Sequence, residues 1–330
     1  MSIKQGLRLT ASIVLAGFFV WLIARQINTA DIKHAFNNAD NIWILNGFCA
    51  FLVGYSCRIQ RWRLMLQCDN PALRWQQCGG PLFVSFAANN VLPFRAGDVM
   101  RVFAFNRQLG VSTGIVAATL FVERLLDLLM LLILLSTALA FFKLDVNGFT
   151  GIGSWALIAF ALGILLLLLF PRLFAPLAII LGNGVLRFSP SLGQKLLDEI
   201  NNGLLTLVHL SKGGMMVKLV FWSVAAWLAE GCLFWFAGLA LAPISFPFAG
   251  WLALPVGTLA TLIPSTPGYV GTFDYFTVRA MTELGNTVAA ATAYALLVHI
   301  LLWLPSTLIG GIYLLLHPIK KLNASKVAKL

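Results

Sequence analysis

Charge is what this chain has least of. Asp, Glu, Lys and Arg make up 11% of its 330 residues, against about 25% in ordinary soluble domains. Acidic residues are the scarcer kind, 12 against 23 basic, for a net charge of +11. Histidine occurs only at His34, His209, His299 and His317. These are scattered, with no HExxH or paired His/Asp spacing, which excludes the common zinc-hydrolase signatures. The five cysteines (Cys49, Cys57, Cys68, Cys78, Cys232) form no CxxC pair, so they read as packing thiols rather than metal ligands. A P-loop pattern is also missing, which argues against ATP coupling within this chain.

What the chain has instead is apolar length. It is 59% hydrophobic, with a mean hydropathy of +0.87, and runs long enough to span a bilayer recur throughout. We expect an all-α polytopic membrane protein. Continuous spans are predicted at 8–26, 42–60, 114–142, 152–170, 216–242 and 287–316. The first reads as an uncleaved span, since no small-x-small cleavage site follows it. Two further segments, 79–107 and 249–284, are too long for one span and too broken for two.

The breaks share a pattern. Leu92-Pro93-Phe94-Arg95-Ala96-Gly97-Asp98-Val99 and Ile263-Pro264-Ser265-Thr266-Pro267-Gly268-Tyr269-Val270 both read [Leu/Ile]-Pro-x-x-x-Gly-x-Val, with Pro93 and Pro264 lying 171 positions apart. Helix breakers at membrane depth survive where the segment is buried in protein or lines a cavity. A pair of them in matching halves points to a transporter-like site between the halves. Hairpin turns are therefore expected at Pro93, Pro264, Pro267, Gly268 and Gly271.

Basic residues orient the spans. Lys4 and Arg8 precede the first, Arg58, Arg61, Arg63 and Arg74 follow the second, and Lys320, Lys321, Lys326 and Lys329 end the chain. Placing all three groups in the cytoplasm requires six full spans and two re-entrant hairpins that enter from opposite faces. The result is an inverted-topology repeat, with halves at about 1–150 and 151–330. Within the second half, after the span at 152–170, Leu192, Leu196, Ile200, Leu204 and Leu207 fall at helical spacing following Ser189-Pro190, an N-cap signal. An amphipathic linker helix over 187–215 is expected, lying on the cytoplasmic surface or packed under the bundle as a spacer.

A charged residue at the centre of a span costs about 2.5–3.5 kcal/mol on insertion scales and so asks for a partner or a role. Glu123, Arg124 and Asp127 lie in the span that begins near 114, roughly 15 Å deep at ~1.5 Å per residue. Arg124 neutralises one carboxylate, and the other is counted as left over. The cluster either pins helices together or gates and relays protons. At the positions 171 further on stand Tyr294, Ala295 and Val298, so the cluster is expected in one half only.

The first break is also the more cationic, with Arg95 at the turn and Arg101 and Arg107 on the returning half-helix. A half-helix starting near Gly97 would present free N–H groups and its positive dipole end to an anion. Arginine's planar fork suits phosphate. Asp98 competes as a cap for the same donors, and snorkelling at the interface is the plain alternative for Arg107. Asn89 and Asn90 are read as bonding freed carbonyls. The second break is polar rather than cationic, with Ser265, Thr266, Tyr269 and Thr272, then Asp274, Arg279 and Glu283. Head-group binding is thus expected at Arg95, Gly97, Asp98, Arg101 and Arg124, and gating or proton relay at Glu123, Asp127, Asp274 and Arg279. No catalytic residue, metal or cofactor is expected.

Three stretches together resemble the lysylphosphatidylglycerol synthase transmembrane-region family. They are Asn89-Asn90-Val91-Leu92-Pro93-x-Arg95-Ala96-Gly97-Asp98-x-x-Arg101, Val122-Glu123-Arg124-x-x-Asp127 and Pro264-x-x-Pro267-Gly268-x-x-Gly271. The likeness runs over nearly the whole length. In bacterial multiple peptide resistance factors such a domain is associated with moving aminoacylated phosphatidylglycerol between leaflets, while a separate soluble domain performs aminoacyl transfer. The sequence ends in a short basic tail without that domain, so the resemblance implies lipid translocation rather than synthase activity. Where such late motifs often carry Glu, this chain has Asp274.

The expectation is a flippase or scramblase of the bacterial inner membrane with both termini cytoplasmic, its cargo an anionic phospholipid or phosphate-headed lipid. Two other readings are an accessory subunit presenting a lipid or polyprenyl phosphate to a partner enzyme, and a membrane-embedded lipid transferase or hydrolase. Nucleic acid is not an expected partner.

Overall fold

The computed structural model describes residues 36–92, 95–144, 154–172, 205–212, 214–262 and 267–317, with isolated positions 176, 183, 194 and 197. The span expected at 8–26, the linker helix up to residue 204, Pro93, Pro264 and the basic tail lie outside these. The described elements are helical and no strand occurs among them. In chain order they are α1 (Asn41–Leu66), α2 (Trp75–Val91), α3 (Ala96–Ala104), the single turn α4 (Asn106–Leu109), α5 (Thr113–Phe141), α6 (Ser154–Leu169), α7 (Met215–Ala240), α8 (Gly250–Ala260), α9 (Thr272–Glu283) and α10 (Val288–Leu316). Two short 3-10 turns, Pro247–Ala249 and Pro267–Tyr269, precede α8 and α9.

Four helices, α1, α5, α7 and α10, are long and apolar enough to cross a membrane. The expected span at 152–170 is represented by α6, with 16 residues. At ~1.5 Å per residue it is about 24 Å long, short of a hydrocarbon core of about 30 Å. It stops at Leu169, two residues before Pro171, whose ring disfavours helix in the residue ahead of it.

Local chemistry sets the long helices' starts. Asp40 caps α1, its carboxylate accepting from the Ile42 N–H at 2.9 Å. Ser112 and Thr287 cap α5 and α10 in the same manner, each hydroxyl accepting from the amide three residues on at 3.3 Å. Helices α1 and α7 both have 26 residues and start 174 positions apart, at Asn41 and Met215. Helices α5 and α10 both have 29 and start 175 apart, at Thr113 and Val288. These offsets replace the 171 suggested by the short Pro-Gly pattern.

Helices α1 and α7 run antiparallel. The Asp40 N–H donates to the Ala240 carbonyl at 2.8 Å, while at the other end Arg61 reaches Ser223. Close approach comes from small residues, as expected where apolar packing has no water to exclude: a Cβ on Gly54 would sit 3.6 Å from the Ala229 Cβ. Helices α2 and α10 pair likewise, with Gly310 so near the Phe83 carbonyl that no Cβ fits. Each interrupted segment folds back on itself. Gly97 of α3 lies against the Ser85 carbonyl of α2, where a Cβ would overlap it, and Gly257 of α8 lies against Thr277 of α9.

Candidate functional site

The two breaks meet. Arg95 precedes α3 in the left-handed region (φ 51°), and Tyr269 precedes α9 in the same region (φ 61°). Such backbone is costly for side chains with a Cβ and persists where the surroundings over-determine it. Arg95 Nε donates to the Tyr269 hydroxyl at 3.1 Å, with its guanidinium carbon 5.8 Å from the ring centroid. Arg95 Nη2 reaches the Thr261 carbonyl at 3.4 Å. Gly268 (φ 70°) packs against Asn90 and Trp303. Beside this junction lies a cavity of about 390 Å³. Its lining mixes charged side chains (Arg58, Arg95, Arg124, Asp127, Glu230 and His299) with apolar ones (Phe86, Leu128, Leu131, Leu302 and Trp303).

Around the cavity the charged side chains form a set of cross-helix pairs. Arg101, fully buried, donates from both terminal nitrogens to Glu123 at 3.0 and 3.1 Å and lies over the Trp62 ring. Asp127 accepts from Arg61 at 2.8 Å and from the Trp227 indole at 3.2 Å, with Arg58 at 3.7 Å. Arg58 bonds Glu230. Arg124 Nη2 donates to both oxygens of Asp98 at 3.0 and 3.1 Å, and Asn89 donates to Asp98 at 3.0 Å. Behind the cavity-lining His299, Asp274 accepts the Gly271 N–H at 2.9 Å and faces His299 Nδ1 at 2.7 Å.

Several sequence expectations change accordingly. No carboxylate is left over: Glu123 is taken by Arg101 and Asp127 by Arg61, both from other helices. Arg101 is withdrawn from any head group by that pairing. Gly97 serves helix packing, and the Asn89 side chain accepts the Asp98 N–H at 3.2 Å, so the α3 end is already partly occupied. Arg279 lies away from the cavity, 62% exposed and paired with Glu283 one turn on. Asn90 has the structural role expected of it, donating to the Trp303 carbonyl at 3.3 Å and to the Ser306 and Thr307 hydroxyls of α10. Pro267 begins the turn before α9, and Gly271 (φ 87°) is its N-cap.

Four residues were missed. Arg58 and Arg61 had been assigned to a cytoplasmic surface group, yet they are buried within α1, which extends to Leu66. Their i,i+3 spacing places them on one helix face, a sign that both look into the bundle. Glu230, a lone carboxylate inside an apolar run, was the matching sign. His299 stood alone in its span with no neighbour in sequence to mark it.

Asp98, Glu123, Asp127 and Glu230 are thus paired with Arg58, Arg61, Arg101 and Arg124, and Asp274 faces His299, so Arg95 is the cavity-lining guanidinium outside these ion pairs among the described residues. Its partners are neutral oxygens, and its Nη1 has none among the described residues. Among these residues no group of three or more His, Cys, Asp or Glu could hold a metal ion.

The family model for the lysylphosphatidylglycerol synthase transmembrane region matches residues 9–310. The chain belongs to this family. A UPF0104 membrane protein of Methanocaldococcus jannaschii is 25% identical over 231 residues, which cover 68% of this chain and 91% of that relative. This member of the lysylphosphatidylglycerol synthase transmembrane-region family is therefore a multi-pass membrane protein. Its matched region takes in both breaks and every ion pair described above.

Proposed function

We propose that this protein translocates a lipid with an anionic phosphate head group, held at Arg95 with Arg124 beside it. The observation that carries the reading is Arg95, with no carboxylate partner among the described residues, at the junction of two broken helices and lining a cavity that both charged and apolar side chains line. A guanidinium with neutral partners is a ready phosphate ligand. The apolar lining suits acyl chains. The family's description ties it to lysylphosphatidylglycerol, a phosphodiester lipid. The site offers no nucleophile–base pair, and we read the protein as non-catalytic.

The halves form, in this reading, an inverted repeat about an axis through the Arg95–Tyr269 contact. Equal helix lengths, antiparallel α1 and α7, and the Pro81/Pro255 pair inside α2 and α8, offset by 174, support it. So does the packing: α2 with α10 is matched by α8 with α5. Residues 1–150 and 151–330 are then the two halves, the second carrying a cytoplasmic linker helix over 187–215, with both termini cytoplasmic in a bacterial inner membrane. The orientation rests on Lys4, Arg8, Arg63, Arg74 and the basic tail, since Arg58 and Arg61 are buried.

Liposomes containing fluorescent phosphatidylglycerol and an impermeant quencher test this. The wild-type chain should let the quencher reach inner-leaflet lipid, and Arg95→Ala should return exchange to the protein-free rate. Absence of exchange by the wild type, or unchanged exchange in Arg95→Ala, refutes translocation. Lipid binding without exchange would favour a subunit that presents lipid to a partner enzyme.

A further inference from the structure

The offset of 174–176 between equivalent positions has a consequence for the second half. Asp98, third residue of α3, corresponds to Asp274, third residue of α9. Arg124 on α5 corresponds, 175 positions on, to His299 on α10. Both pairs form: Arg124 on Asp98 at 3.0 Å, His299 on Asp274 at 2.7 Å. Arg124 and His299, the basic member of each pair, line the same cavity. One half therefore holds a permanent cation where the other holds a titratable one.

A carboxylate only accepts hydrogen bonds, so in a carboxylate–imidazole pairing it is His299 Nδ1 that carries the proton towards Asp274. A neutral imidazole then has a bare Nε2, and no side chain or carbonyl among the described residues occupies it. Phe273 fixes the ring plane edge-on, with centroids 5.5 Å apart at 85°. Protonation turns Nε2 from acceptor to donor and adds a charge; imidazole is the side chain whose ordinary titration falls between about pH 5 and 8.

Resting on the anion-site reading, we propose that His299 is its proton-dependent half. It takes up a proton from water as a phosphodiester monoanion binds and presents Nε2–H to the phosphate opposite Arg95. The charges around it agree. Beyond Asp274 on α9, the cavity receives Tyr55 and Arg58 from α1, Glu230 from α7, and Arg124 and Asp127 from α5. Arg95 and Tyr269 come from the breaks. Arg58, Arg124, Asp127 and Glu230 are internally paired, which leaves Arg95 as the fixed positive charge and Asp274 offsetting it. A proton on His299 cancels Asp274 and restores the net charge that an incoming anion needs.

Calorimetric titration of the purified full chain in detergent tests this, in two buffers of different ionisation enthalpy between pH 6 and 8. The probes are dihexanoyl-phosphatidylglycerol and its deacylated head group glycerophosphoglycerol, whose phosphodiester charge is constant over this range. We expect uptake of up to one proton per phosphatidylglycerol bound, and affinity three- to tenfold higher at pH 6 than at pH 8. His299→Gln should hold the pH 8 affinity at all pH values, and His299→Lys the pH 6 affinity. Wild-type binding without proton uptake, or a pH slope retained in His299→Gln, overturns the proposal. Equal affinity for the tailless head group identifies the ligand as a soluble phosphodiester and overturns the lipid; tighter phosphatidylglycerol binding supports it. Arg95→Ala separates the two readings. Unchanged binding there removes the anion site itself, whereas weakened binding with a wild-type chain that takes up no proton removes only the role of His299.

Discussion

Removing the charge of Glu123 should unfold this protein more readily than any comparable change at its surface. Arg101 is fully buried and both its terminal nitrogens go to Glu123. Glu123→Gln keeps the shape but leaves the guanidinium without its carboxylate, and breaking a buried pair from one side costs about 3–5 kcal/mol. Trp62 lies under the cation at 5.0 Å with or without the carboxylate, so it does not reduce the difference, and the expected loss is about 3–5 kcal/mol. By contrast Arg124, 34% exposed beside Asp98, has water to screen it, and Arg124→Gln should cost about 1 kcal/mol or less. Replacing both buried partners with leucine (Arg101→Leu with Glu123→Leu) removes the charges together and should recover most of the Glu123→Gln loss. Reversible unfolding in mixed micelles by a denaturing detergent reads all of these. A Glu123→Gln loss below about 1 kcal/mol, or a double variant as unstable as the sum of its singles, would refute the reasoning. That outcome would return Glu123 to the list of proton-relay candidates.

Two further predictions concern the fold. With the five native cysteines replaced, Gly54→Cys and Ala229→Cys should oxidise spontaneously to a disulfide, because their Cβ positions lie 3.6 Å apart, within the range the bond accepts. A gel-mobility shift lost on reduction detects it, and its absence would contradict the antiparallel α1–α7 pairing. Gly97→Ala should strongly reduce the yield of monodisperse protein, since its Cβ would overlap the Ser85 carbonyl. Gly163→Ala on α6, with nothing within 4 Å, should leave that yield unchanged.

Much of the architecture was legible in residue order, because it depends on neighbours in the chain. The breaks before Ala96 and Thr272 and the extents of α5 and α10 follow from helix breakers and apolar runs. The repeat register did not. A short Pro-Gly match was extended over whole helices, and it misses by three to five positions because the matched Pro and Gly residues do not occupy equivalent places in the two breaks: Gly97 is the second residue of α3, whereas Gly268 lies in the turn before α9. That miss paired Arg124 with Ala295 and hid His299.

By itself the sequence determined the solvent this protein lives in, the count of charges that must be satisfied inside it, and the two places where its helices stop. Tertiary structure alone decided which charges satisfy one another. Glu123 passes over its neighbour Arg124 for Arg101, Asp127 goes to Arg61, and Arg95 is left outside these ion pairs, lining the cavity. The reason is rotational. Spacing along one helix says which side chains share a face, but a partner on another helix is set by the phase, depth and direction in which the two helices pack. Those come from close contacts such as Gly54 on α7 and Gly310 on α2, which no single segment contains.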